Sequence, residues 1–136
     1  MRHNRNPTTT TFRFKVIMLP NNDRLLQAET ASMRIVETME AMVKDVADAK
    51  QVVAMRDDRM KREESVLVTE FLRSGESAAS ARAQALADPR YTAAVKKILS
   101  ETAHAQQILL RYELEKLKWE NAQALRNDER ARMRIL

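Results

Sequence analysis

Glu101 and His104 stand three residues apart in Glu-Ala-Thr-His. On a helix that spacing puts a carboxylate and an imidazole on one face, as in the di-iron helix bundles. Such a site needs two of these motifs and two further glutamates. The chain carries one motif, so only a symmetric dimer could complete it, and a solvated histidine is the simpler expectation for His104. Other chemistries fail for definite reasons. The second histidine, His3, lies in a loose N-terminal stretch, which gives a Ser/His/Asp relay no positioned base. One glycine, Gly75, cannot build a phosphate-cradling loop, which draws several backbone N–H groups together. Cysteine is absent, which removes disulfides, thiolate zinc sites and thiol catalysis. Glu113 and Glu115 are two apart and face different sides of a helix. The expectation is a chain that is not an enzyme, with no cofactor and no metal site.

The arginines are the remaining chemical feature. Arg126, Arg130 and Arg134 are four apart and share a helix face, with Arg132 beside them. Residues 1–22 hold Arg2, Arg5, Arg13 and Lys15 and no acid. The net charge is +5, and the excess lies toward the two ends. If the chain doubles back, both basic ends meet, Arg24 among them, and clustered arginine attracts the phosphates of nucleic acid. Asp128 and Glu129 could instead neutralise those arginines within the chain. No aromatic residue is interleaved for base stacking.

The elements that would position these residues are helices. Ala, Leu, Met, Glu, Lys, Arg and Gln dominate the composition, and these are the strong helix formers. Charged residues make up 32% of the chain, as suits long helices with wet faces. Asn22 or Asp23 is placed to cap a helix after Pro20. No proline or glycine then occurs until Gly75, so a continuous helix over 23–73 is expected, ~75 Å long at 1.5 Å per residue. A heptad seam runs along it through Leu25, Ser32, Met39, Val46, Val53, Met60 and Leu67. Its companion row is Ala28, Ile35, Met42, Ala49, Arg56, Glu63 and Glu70. That second row turns polar after Val53, where Arg56-Asp57-Asp58-Arg59 predicts a narrower contact or a change of partner, with a solvated stretch the simpler reading.

Gly75 is expected to end the first helix in the left-handed conformation. Ser77 caps a short helix over 77–87, and Asp88-Pro89 starts a last one that runs to about Arg134. The last helix carries one apolar stripe through Tyr91, Val95, Ile98, Ala105, Leu109, Tyr112 and Trp119. A second, adjacent stripe is Leu99, Leu110, Leu114, Leu117 and Leu125. A two-helix hairpin buries one stripe, so the second points to another copy or another protein. The short helix and the N-terminal arm are the alternative cover. Leu109, Tyr112, Leu117 and Trp119 are the candidate partner contacts.

Residues 1–22 read as a flexible basic arm. Phe12, Phe14, Val16 and Met18 alternate with Arg13 and Lys15, a weak strand signal without a partner strand. A mitochondrial presequence and a true start at Met18 are open alternatives for this stretch. No apolar run approaches a membrane span, and Val16-Ile17-Met18-Leu19 is too short for a secretory signal. A cytoplasmic location is the expectation.

Residues 71–136 carry a resemblance. Phe71-Leu72-Arg73-Ser74-Gly75-Glu76-Ser77-Ala78-Ala79, then Ala83 and Ala85, then Asp88-Pro89-Arg90-Tyr91, precede a long charged helix ending in Arg126, Glu129, Arg130 and Arg132. This half of the chain resembles small all-helical accessory proteins of phage and prophage genomes, found among recombination or replication genes. The resemblance implies an accessory role and brings no catalytic residues. The secreted WXG-type hairpins place Trp-x-Gly at the bend, whereas here the bend is Ser74-Gly75-Glu76 and the tryptophan is Trp119. The fold expected is all-α, a long antiparallel two-helix hairpin of coiled-coil type with a short connecting helix, self-associating. The expected function is non-catalytic assembly through contacts with itself or another helical protein, without a membrane. The alternative is a nucleic-acid-binding accessory that uses the basic ends.

Overall fold

A computed structural model describes residues 21–135, and the side chains of 23–135. The expected arm and strand over 1–20 lie outside the described residues, as do Arg2, Arg5, Arg13 and Lys15. Among the described residues every element is a helix: α1 (Asn21–Ala54), α2 (Arg56–Arg73), α3 (Ala78–Ala87) and α4 (Pro89–Ile135). None of them is long and apolar enough to cross a membrane. The chain divides into two compact units. One holds residues 21–41 and 113–135, and the other is Met42–Tyr112.

The single long helix expected over 23–73 is interrupted at Met55, which has φ −90° and ψ −1°. Helical hydrogen bonding persists on both sides: Met55 N–H donates to Gln51 O at 3.0 Å, and Arg59 N–H to Met55 O at 2.9 Å. Asp57 and Asp58 fall in the first turn of α2, where carboxylates favour the positive end of a helix. Asn22 and Asp23 lie inside α1, so neither is its cap.

The heptad seam is the covered side of α1 and α2. Ala28, Ser32, Val46, Ala49 and Leu67 are buried, with Leu25, Ile35, Met39, Met42, Val53 and Met60 half-buried. Beyond Val53 the companion row leaves the seam, and Arg56, Glu63 and Glu70 are exposed. Its place is taken one residue on, by Glu64 and Phe71, both half-buried. An ideal helix drifts about 20° per heptad, so a buried face moves on by one residue after roughly five heptads. The polar residues stand where that drift has turned the row toward water.

In the Met42–Tyr112 unit, α3 packs against α2. Ala81 and Ala85 are both 0% exposed, and their small side chains permit close approach of the two helices. Ile98 and Ala105 of α4 complete the apolar interior with Val46, Ala49 and Leu67. Thr102 is buried among them, its hydroxyl donating to Ile98 O at 2.8 Å. The other unit has a thinner interior, of Ala28 with the polar residues Ser32 and Glu129.

The helix ends follow the sequence. Gly75 has φ +91°, Glu76 N–H donates to Phe71 O at 3.2 Å, and Gly75 N–H donates to Leu72 O at 3.1 Å. That pair of bonds is the Schellman closure, which satisfies the last carbonyls of α2. Ser77 Oγ accepts from Ser80 N–H at 3.2 Å and caps α3. Asp88 Oδ1 accepts from Arg90 N–H at 2.8 Å at the start of α4.

Candidate functional site

The partner-contact residues are set by where they fall around α4. In the Met42–Tyr112 unit, Leu109 and Tyr112 are half-buried, on the side of the helix that also buries Ile98 and Ala105. In the other unit, Leu117 is 55% exposed and Trp119 37% exposed. Those two are separated by about 200° around the helix, at 100° per residue, so they face opposite sides. The four therefore do not form one surface. The second leucine stripe is the more open feature. In the 21–41/113–135 unit, Leu114 is 58% exposed and Leu125 39%, and with Leu117 they leave a row of apolar side chains in water. Leu99 and Leu110 are likewise exposed in the Met42–Tyr112 unit. The two stripes read as adjacent in the sequence, yet Leu117 and Trp119 show their side chains parting to nearly opposite faces. Asn121 and Ala124 continue the Leu114–Leu117 row at the same spacing and are exposed, but one being polar and the other small they carry no strong hydrophobic signal in the sequence.

The arginines at the end of α4 are partly engaged. Arg130 pairs with Glu29 of α1 at 3.2 Å, and Arg132 pairs with Glu129 at 3.5 Å. Arg126 is half-buried, and its Nε finds no protein acceptor. Glu129 is 4% exposed, and its Oε2 likewise has no protein donor. Arg134 is exposed. Internal carboxylates thus take up two of the four cations, one of them the Glu129 that the sequence marked as a counter-charge.

An open groove of about 410 Å³ lies in the Met42–Tyr112 unit, lined among others by Asp45, Asp48, Val52, Glu101, His104 and Ile108. It holds the Glu-x-x-His pair. Glu101, however, accepts from Arg59 Nη1, and that guanidinium, aided by the nearby Lys97, holds its carboxyl below the usual range. A carboxylate committed to an arginine is a poor metal ligand. Among the described residues no group of three or more His, Asp or Glu stands where it could hold a metal ion. Nothing in the run Arg56-Asp57-Asp58-Arg59 signals the pairing of Arg59 with Glu101, which lies 42 residues away.

Two further carboxyls are held low by hydrogen bonds. Asp88 is lowered by the Arg90 side chain and backbone, and Glu76 by Ser80 and Gln84. Arg90 is raised by Asp88 and by Glu70 of α2, which it meets at 2.9 Å. These groups fasten helix ends.

Comparison of the chain with protein-family models, with curated proteins and with solved structures gives no match. The site and fold define a helical protein whose open features are apolar rows and a basic helix end.

Proposed function

We propose that the chain is a non-catalytic helical assembly or adaptor protein that acts through protein–protein contacts, in the cytoplasm, encoded by a phage or prophage. The observation that carries this reading is the row Leu114, Leu117 and Leu125, left in water on a well-formed helix. Contiguous exposed apolar surface marks an interaction site. In this reading the chain turns back at Gly75 as a long antiparallel hairpin, with α3 as the connecting helix. The cross-helix pairs support it. Glu29 meets Arg130 and Ser32 meets Gln123 in one unit; Arg59 meets Glu101 and Glu70 meets Arg90 in the other. Within each unit the residue numbers rise on one helix as they fall on the other. The phage assignment rests on the likeness of residues 71–136 to small accessory proteins.

Light scattering of the purified chain tests the assembly reading. More than one chain per particle is expected, and a single chain at high concentration overturns it.

The second reading, a nucleic-acid-binding accessory, is favoured by the arginines Arg126, Arg130, Arg132 and Arg134 within the last turns of α4. It ranks second because Glu29 and Glu129 engage two of them. DNA affinity that falls steeply with salt, as neutralised phosphates release counterions, would support it. Absence of binding at low salt removes it.

A further inference from the structure

We infer that the exposed face of α4 around Leu117 is the contact between two copies of this chain, running parallel. The inference rests on the assembly reading and names its partner. Leu114, Leu117, Asn121 and Ala124 follow one another at intervals of three, four and three residues, and all four are exposed. That spacing is the a/d pattern of a coiled coil, with Leu114 and Asn121 at a and Leu117 and Ala124 at d.

Two features of this row select a second copy over an unrelated helix. The first is charge. Glu113 and Glu120 flank the row on one side, at the g positions, and Lys118 flanks it on the other, at e. In a parallel pair, g faces the e position five residues on in the other chain, so Glu113 meets Lys118 of the partner subunit. By the two-fold axis the same contact occurs twice. In an antiparallel pair with the same row in register, g faces g and e faces e, so Glu120 would meet Glu120 of the partner subunit and Lys118 would meet Lys118 of the partner subunit, both like-charge contacts. Within the chain Glu113 and Lys118, both exposed, pair with residues three positions away on the same helix, Lys116 at 3.6 Å and the half-buried Glu115 at 2.9 Å. Such pairs hold little energy and rearrange readily. The second feature is Asn121. An asparagine at a single a position pairs with its own copy across a parallel two-stranded seam, fixing register and favouring two chains at some cost in stability.

The test uses the full chain and combines mass with cross-linking. The unmodified protein is expected to shift from one to two chains per particle as concentration rises. L117E, at an exposed position, is expected to keep its helical circular dichroism and to lose the dimer. E113K is expected to weaken association, and E113K with K118E to restore it. The chain has no cysteine, so L114C and A124C can be introduced singly. Both are expected to form an inter-chain disulfide on mild oxidation, well above an L26C control at an exposed site on α1. A particle of two or more chains that survives L117E, or one without cross-linking at 114 and 124, overturns this surface and leaves the assembly reading standing. A single chain at every concentration overturns both.

Discussion

Ser32 of α1 and Gln123 of α4 stand 91 positions apart in sequence and share a hydrogen bond of 2.9 Å, with Gln123 Nε2 donating to Ser32 Oγ. Ser32 is 3% exposed, at a seam position where an apolar residue would ordinarily sit. A buried hydroxyl without its partner carries a desolvation cost, so this bond favours one alignment of the two helices over neighbouring ones. Ser32→Ala should lower stability by about 0.5–1.5 kcal/mol in urea unfolding. Adding Gln123→Ala should cost less than the sum of the two single changes, because they remove the same interaction.

Gly75 should resist substitution for a backbone reason alone. A Cβ there meets nothing within 4 Å, so space is not the obstacle. The φ of +91° is, because an L side chain in left-handed territory clashes with its own carbonyl. Gly75→Ala should cost about 1–2 kcal/mol, read as a lower denaturant midpoint.

The contact of α3 with α2 should be sensitive to size. Ala81 and Ala85 are wholly enclosed and one helical turn apart. Ala85→Leu adds volume where there is no room, and overpacking of this kind costs about 1–3 kcal/mol. The same change at Ala83, which is exposed, should cost little. Comparing the two by thermal unfolding separates crowding from any change in helix propensity.

Acid should loosen the fold through Glu101, Asp88 and Glu76. Each has its folded pKa lowered, by Arg59, by Arg90, and by Ser80 and Gln84 respectively. A lowered folded pKa means that the native state binds the proton more weakly than the unfolded chain does. The stabilisation is therefore fully present above the ordinary carboxylate range, near pH 4–5, and is lost as pH falls through the lower folded values. All three groups are half-buried at the surface rather than enclosed, so the loss is small. Stability followed by denaturant midpoint should decline below about pH 4, and Arg59→Gln should make that decline shallower.

The helical character of the chain, the helix ends at Gly75, Ser77 and Asp88 and the polar turn of the companion row could be read from residue types alone, because helix formation and termination are local. The cap expected at Asn22 or Asp23 could not, since both lie inside α1. Gly75, Ser77 and Asp88 each act within a few residues of their own position, and the structure finds each doing so. The heptad rows were legible until the mismatch between 3.5 and 3.6 residues per turn accumulated, and then Glu64 and Phe71 replaced Glu63 and Glu70. Three things waited for tertiary structure: the interruption at Met55, the pairing of Arg59 with Glu101 and of Ser32 with Gln123, and the exposure of Leu114 and Leu117. Sequence spacing shows which residues share a face of one helix. Which face another helix covers depends on how the helices approach each other, and that is a property of the packed chain.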